Sequence, residues 1–370
     1  MHIVHTEASL GWGGQEIRIL TEAAGMIARG HRVTLLCPPQ ARIHGEAAAC
    51  AVPAVGLPIG RKNLVGVLAM RRWLKENRAD VVNMHSSTDS WLAAIACTTL
   101  GAAPPLVRTR HISSPVPNNL ATRWLYRRAT RHIVTTGEKL REQLMRDNGI
   151  DGAMLTSVPT GIDIARFLPG DRAAARVALG LPAAATIIGI VATLRSWKGH
   201  SYLIDAFARL CAKASAPALH LVIVGDGPQW GALQQLVVER GLTKSVTMPG
   251  NQGKVTPWLN AIDIFCLPSY ANEGVPQALM QAMACALPVV STPVGSIAEI
   301  VEPEGTGLLV APKDAGALQT ALARLIADPA LRTRLGEAAH RVAVARFPKE
   351  IMLDRMEQVF QNAVAASRPA

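Results

Sequence analysis

The stretch Asn272-Glu273-Gly274-Val275-Pro276, followed by Gln277-Ala278-Leu279-Met280-Gln281-Ala282-Met283-Ala284, places one carboxylate ahead of a Gly-x-Pro step. Proline suits the first turn of a helix, because its missing N–H has no partner there and its φ is already set. Such a turn presents free backbone N–H groups and the positive end of a helix dipole beside Glu273. Gln277 and Gln281 follow at helical spacing on one face. This arrangement suits a ligand that carries hydroxyls and phosphates. The plainer reading is an acidic cap on a core helix.

A second constellation is Thr193-Leu194-Arg195-Ser196-Trp197-Lys198-Gly199-His200, which follows an apolar run, Ile187–Ala192, that reads as a buried strand. Two cations three residues apart at a strand-to-helix turn suit a diphosphate, Arg195 offering a planar fork and Lys198 a compact charge. The alternative is ordinary loop charge. Near the amino terminus, Gly11-Trp12-Gly13-Gly14-Gln15-Glu16 lies between the first strand and first helix, where glycines let backbone N–H groups approach an anion. Its spacing differs from the dinucleotide fingerprint, which disfavours a nicotinamide enzyme. Val224-Gly225-Asp226-Gly227-Pro228 is a glycine turn at a strand end. His111, and with it His85 and Asp89, also follow strand ends, although a single histidine is more often structural. No Ser-His-Asp order, metal-ligand cluster, P-loop or paired acid at a strand end can be assembled, so the expected site cradles phosphate without a metal.

The elements that must position these residues alternate between short β-type runs and helical stretches, the signature of parallel sheets with crossover helices. Strands are expected near Ile3–Thr6, Val33–Cys37, Asp80–Met84, Leu106–Arg110, His132–Thr135 and Leu155–Val158, and then near Ile187–Ala192, His220–Val224, Val246–Met248, Ile264–Leu267, Pro288–Ser291 and Gly307–Val310. Among the expected helices are Leu64–Asn77, Leu120–Thr130, Gly199–Lys213, Pro276–Ala284, Ala315–Ala327, Pro329–Arg346 and a last one, Glu350–Val364. Turn residues cluster at Pro159-Thr160-Gly161-Ile162-Asp163 and Phe167-Leu168-Pro169-Gly170, which marks a boundary. The division is residues 1–165, 166–347 and a closing segment, 348–370. Two doubly wound domains in tandem place a ligand cleft between them, at the carboxyl ends of the strands.

With 370 residues, half of them apolar and 18% charged, the chain is globular and long enough for two domains. Six cysteines without a C-x-x-C pair fit a reducing compartment. The amino terminus lacks the pattern of a secretory signal, and no apolar run is long enough to span a membrane, since the longest uncharged stretch carries Pro276, Pro288 and Pro293. The net charge of +11 is concentrated in two clusters, Arg61, Lys62, Arg71, Arg72, Lys75 and Arg78, then Arg123, Arg127, Arg128 and Arg131, interleaved with large apolar residues. A basic amphipathic helix suggests an anionic membrane surface. No motif supports nucleic acid, and a solvated helix face is the simple alternative.

Taken together, these residues resemble the family 4 retaining glycosyltransferases of the two-Rossmann GT-B fold. Along nearly the whole chain the motifs recur in order: Gly13-Gly14-Gln15-Glu16; Pro159, Gly161, Asp163, Phe167 and Pro169; Gly225 to Pro228; Leu267-Pro268-Ser269, Glu273-Gly274, Pro276, Ala282-Met283-Ala284 and Pro288-Val289-Val290; Gly295, Glu299-Ile300-Val301 and Gly307 to Val310. The resemblance implies a nucleotide-sugar donor such as a UDP- or GDP-sugar, no cofactor or metal, and transfer with retained anomeric configuration to a saccharide or lipid-linked acceptor. It implies work on lipopolysaccharide, capsule or a related glycoconjugate at the cytoplasmic membrane face. It assigns the donor diphosphate to Arg195 and Lys198, hydroxyls of the donor sugar to Glu273 with the N–H groups of Gly274 and Val275, and the approach to the diphosphate from the other domain to Gly13 and Gly14. His111 lies by the donor sugar, Glu299 near the nucleotide, and Gly225 shapes the floor of the cleft. The sequence departs from the family at Gln281, where a ribose-binding glutamate is usual, at Thr193, where an arginine is usual and whose role Arg195 would assume, and at Ala286, where a glycine is common. A non-catalytic nucleotide-sugar-binding subunit, suggested by Gln281, and a nucleotide-sugar epimerase are the alternatives.

Overall fold

The structure, a computed structural model, describes residues 1–212 and 218–367. The chain divides into two compact units, with the break between Gly161 and Ile162 and a return to the first unit at Lys349. The change thus falls inside the expected turn cluster, upstream of residue 165.

The first unit runs β1 (His2–Thr6), α1 (Gly14–Ala28), β2 (Arg32–Cys37), α2 (Arg42–Ala47), β3 (Ala54–Gly56), α3 (Leu64–Asn77), β4 (Val81–Met84), α4 (Ser87–Thr98), β5 (Leu106–Arg110), α5 (Leu120–Trp124), β6 (His132–Thr135), α6 (Glu138–Asn148) and β7 (Leu155–Ser157). Its seven strands lie in the order β3-β2-β1-β4-β5-β6-β7, and every pairing is parallel. Parallel strands need long crossovers, which the helices supply, and both sheet faces are therefore covered. The strands read as nearly unbroken apolar runs for that reason. Ile3, Val81, Val107 and Val134 face one apolar cluster; Val4, Val82, Leu106 and Ile133 face another.

The second unit runs α7 (Arg172–Leu179), β8 (Thr186–Val191), α8 (His200–Cys211), β9 (Leu219–Val224), α9 (Trp230–Glu239), β10 (Val246–Gly250), α10 (Thr256–Ala261), β11 (Ile264–Leu267), α11 (Gln277–Ala284), β12 (Val289–Ser291), β13 (Gly307–Leu309), α12 (Ala315–Ala327) and α13 (Pro329–Arg346). Its six strands, again all parallel, lie in the order β10-β9-β8-β11-β12-β13 around one apolar core. A last helix, α14 (Lys349–Ala365), belongs to the first unit, where Met352, Met356 and Phe360 pack with Ile19, Ala23 and Met26 of α1. Gly25 makes this approach possible: a Cβ there would lie 2.4 Å from a Leu353 methyl.

Two parallel sheets of this kind each have a point where the order of winding reverses. It lies between β1 and β4 in the first sheet and between β8 and β11 in the second. At such a point adjacent crossovers leave in opposite directions and open a crevice at the carboxyl ends of the strands.

Several expectations are corrected here. The predicted helix Leu120–Thr130 stops as an α-helix at Trp124 and continues as one wider turn, Leu125–Ala129, in which the Thr130 N–H reaches back to Leu125 O at 3.1 Å. The basic cluster on it is partly tied down, since Arg127 donates to the Asn148 carbonyl and Arg131 to the Ala366 carbonyl. The expected helix Gly199–Lys213 starts at His200, and Lys213 lies outside the described residues.

Candidate active site

The turn after β8 carries Arg195 and Lys198, and the turn after its neighbour β11 carries Glu273, so all three sit at the winding reversal of the second sheet. Lys198 Nζ lies 2.7 Å from Glu273 Oε1, and Ser269 Oγ donates to the same oxygen at 2.6 Å. Both side chains of the ion pair are largely buried, at 18% and 5% exposure. A pair this dry is costly to break, because the survivor keeps an uncompensated charge. Both donors converge on Oε1; among the described residues Oε2 has no protein donor. That oxygen is left to accept from a ligand hydroxyl.

The backbone explains why the two turns meet. The Tyr270 N–H donates to Trp197 O at 2.8 Å, and a Cβ on Gly199 would lie 2.0 Å from Pro268 O, so only glycine fits where the loops touch. From the other side Gly295, at φ +59°, brings its Cα so near the Glu273 carbonyl that a Cβ would lie 2.1 Å from the oxygen. The Ser296 N–H then donates to Gly274 O at 3.2 Å. Glu273 is therefore held by its backbone, its carboxylate and the loop beneath it.

Pro276 corrects one expectation. It is the capping residue of α11, extended at ψ 122°, and the helix begins at Gln277. The segment Glu273–Gly274 is pinned by Gly295 and Ser296, and Pro276 itself is extended, so the first helical turn starts one residue later. No side chain caps α11. Among the described residues the N–H groups of Gly274 and Val275 donate to no protein acceptor. An uncapped helix start with free N–H groups beside it attracts anions.

The remaining candidates in this unit are less tightly grouped. Arg195 is exposed and stacks its guanidinium over the Trp197 ring at 5.5 Å, on the same short turn as Lys198. Gln281 lies one turn into α11 and is half-buried. Glu299 closes a short helical turn, Ile297–Glu299, that follows Ser296. Gly225 packs against Ala192 O at the end of β8. Lys313, which sequence reasoning overlooked, places its ammonium over the Tyr270 ring at 4.8 Å, next to the Glu273 loop. Ser269 was quoted only as part of a motif; its spacing of four from Glu273 was the available signal.

In the first unit Gly13 is the extended capping residue of α1, and Gly14 is its first helical residue. The loop before them is held by Glu7, a buried residue that nothing in the motif pattern singled out. Glu7 accepts from the Ser9 N–H at 2.7 Å and from the Gln15 side chain. Burial, with the carboxylates of Asp89 and Glu16 behind it, pushes the Glu7 carboxyl up to about 8. Asp89 accepts from Thr6 Oγ1, from Ser86 and from the His85 N–H, and so ties β1 to the start of α4. His111 follows β5 and contacts His85, which contacts His5 of β1. Burial holds the imidazoles of His85 and His111 well below the ordinary histidine range and lowers His5 to about 3, so all three are neutral at pH 7.

Comparison with known proteins agrees with this architecture. The description Glycosyl transferases group 1 matches residues 171–342, and Glycosyltransferase Family 4 matches residues 12–166. The chain belongs to the family 4 glycosyltransferases. A protein of Saccharomonospora viridis named D-inositol 3-phosphate glycosyltransferase is 29% identical over 82% of this chain and 74% of its own length. A protein of the same name from Nocardia farcinica is 31% identical over 71% of this chain, which spans only 58% of that relative. Among solved structures, Anabaena HepE in complex with UDP-glucose superposes with a TM-score of 0.87 at 22% identity, over 98% of this glycosyltransferase-family chain and all of HepE. At that identity the likeness establishes the fold, a pair of parallel-sheet domains of GT-B type.

Proposed function

We propose that the protein transfers a sugar from a nucleotide-sugar donor, a UDP- or GDP-sugar, to a saccharide or lipid-linked acceptor, with retention of anomeric configuration. One observation carries the reading: the Lys198–Glu273 pair, beside a helix start rich in free N–H groups, at the winding reversal of the second sheet. Departure of a nucleoside diphosphate builds negative charge on the leaving oxygen while the sugar becomes oxocarbenium-like. Lys198 and Arg195 would meet that charge where it develops, and fixed cations do so without reorganising. No resident metal is needed for this step in the proposal. Glu273 Oε2 would accept from donor-sugar hydroxyls, and the Gly274 and Val275 N–H groups would bind diphosphate or sugar oxygen. Gln281 is assigned to the ribose and Glu299 to the nucleotide. In the first unit, His111 is assigned to a sugar hydroxyl and the N–H groups of Gly13 and Gly14 to an anionic oxygen.

The acceptor is assigned to a class only. The names of the relatives extend that class to a phosphorylated polyol, beside the lipid-linked saccharides of surface glycoconjugates such as lipopolysaccharide or capsule. A peripheral position on the cytoplasmic face of a membrane is part of the proposal. Among the described residues no helix is long and apolar enough to cross a membrane. Support comes from α3, whose Leu64, Val65 and Leu68 are 69%, 61% and 55% exposed beside Arg61, Lys62, Arg72 and Lys75. Exposed apolar residues flanked by cations favour anionic lipid.

The test is release of nucleoside diphosphate and glycosylated product from a panel of UDP- and GDP-sugars with candidate acceptors, the product's anomeric configuration being read by NMR. Lys198→Ala and Arg195→Ala should each lower turnover by roughly 10²–10³, the usual cost of removing one charge-stabilising group. Unchanged turnover in both would remove them from the site. Binding of the donor with neither release of nucleoside diphosphate nor transfer to any acceptor would favour a non-catalytic binding subunit.

A further inference from the structure

The imidazoles of His5, His85 and His111 stand side by side at the carboxyl ends of β1, β4 and β5, three adjacent strands of the first sheet. His5 Nδ1 lies 2.9 Å from His85 Nε2, and His85 Nδ1 lies 3.0 Å from His111 Nε2. Each ring centroid is 5.2 Å from the next. His5 and His85 are buried, at 0% and 5% exposure, and His111 at the outer end is partly exposed. The backbone of the middle residue is fixed, since the His85 N–H donates to Asp89 Oδ2 at 2.9 Å. Among the described residues no three His, Cys, Asp or Glu side chains are arranged to hold a metal ion together. Four of the six ring nitrogens are spent on one another.

We infer that His5 and His85 are positioning residues for His111, a one-way chain of hydrogen bonds that keeps the proton of His111 on Nδ1.

Each contact between neutral imidazoles needs one N–H and one lone pair, so the chain can point only inward or outward. If it points inward, His111 Nε2–H donates to His85, His85 Nε2–H donates to His5, and the last proton sits on His5 Nε2. That nitrogen is buried without any partner. It would be an orphan N–H in the field of the Arg18 guanidinium, a buried cation that acts on all three rings. If the chain points outward, His5 Nδ1–H donates to His85, His85 Nδ1–H donates to His111 Nε2, and His5 Nε2 keeps a lone pair. A lone pair is favourable towards a cation where an N–H dipole is not. The other charges nearby do not reverse this. Glu22, 3.7 Å from Arg18 Nε, offsets part of that field, but it accepts from Asn83 and makes no hydrogen bond to His5. Arg110 beside His111 also opposes a further proton there, the Asp89 carboxylate is occupied by its own donors, and Phe360 of α14 meets His5 edge-on with no polar group. With Nε2 accepting from His85, the proton of His111 is on Nδ1, where it serves as a donor. A donor suits a sugar oxygen, so the effect on rate rests on the assignment of His111 to a sugar hydroxyl made above. The tautomer does not rest on it.

Both parts can be read separately. In full-length protein labelled with ¹⁵N-histidine, the two ring nitrogens of His111 report which one is protonated. The expected result is a protonated Nδ1 and a bare Nε2 in the wild type, without any ligand. Arg18→Met removes the cation that sets the direction of the chain and should let the reverse tautomer appear, whereas His5→Gln, whose amide can donate to His85 Nε2, should retain the original one. A wild-type His111 protonated on Nε2 overturns the inference, and so does an Arg18→Met protein with a cooperative unfolding transition in which His111 stays as fully protonated on Nδ1 as in the wild type. In a transfer assay, His5→Phe should lower kcat roughly tenfold with the donor KM little changed, and His5→Gln should recover most of it. If the tautomers behave as stated while His111→Ala transfers at the wild-type rate, the chain stands and the assignment of His111 to the sugar falls.

Discussion

At the scale of single residues, Glu7 makes the clearest claim about pH. Its carboxyl is raised to about 8 in the fold and is ordinary in the unfolded chain. Between about pH 4.5 and 8 the native state binds the extra proton, so this group's contribution to stability falls as pH rises through that window. Glu7→Gln should therefore flatten the alkaline loss of thermal stability and be more stable than wild type at pH 9, on the order of a few kcal/mol. An unchanged Tm–pH curve would contradict it. On the acid side the buried His5, lowered to about 3, makes stability fall as pH drops below about 6.5, because only the unfolded chain accepts that proton. Glu7 and His5 were invisible in the sequence for one reason: each is set by a neighbour from another element, Asp89 for Glu7 and His85 for His5. Lys198 and Glu273 were legible because glycine and proline punctuate the turns that carry them. Their ion pair was not, since nothing in the spacing of residues 198 and 273 says that β8 and β11 are adjacent.

At the scale of elements, long runs with one clear period were readable to the residue. The helices α3, α12 and α13 and the strands β5, β6 and β11 have the bounds their apolar patterns predict. The elements that escaped notice are short and small-residue-rich: β3, α2 and α7. Three strand residues, or six to eight helical ones, offer too little periodicity to stand out. The attachment of α14 to the first unit is a packing property, invisible along the chain but decided by Phe360, which is fully buried beside Met356 and over His5. Phe360→Ala should destabilise the first unit by about 3–5 kcal/mol in urea unfolding. A change below about 1 kcal/mol would mean that α14 rests on the unit without sealing its core.

At the scale of the whole molecule, charge and exposed apolar surface on α3 lead to a prediction about membranes. The protein should sediment with vesicles containing anionic lipid, less so as salt rises, and Leu64→Ser with Leu68→Ser should weaken it further. Equal sedimentation with neutral vesicles would contradict an electrostatic dock. The two-sheet plan was legible from the alternation of strands and helices. The acceptor was not, because loops such as Gln40–Arg61 and Ser113–Asn119 carry no readable pattern. The central claim is that Lys198, held against Glu273, receives the diphosphate of the donor. Calorimetric titration with UDP and GDP tests it most directly. The account predicts that one of them binds the wild type and that Lys198→Ala weakens the binding at least tenfold while its unfolding stays cooperative; equal affinity in the folded variant, or no binding of either nucleotide by the wild type, would contradict it.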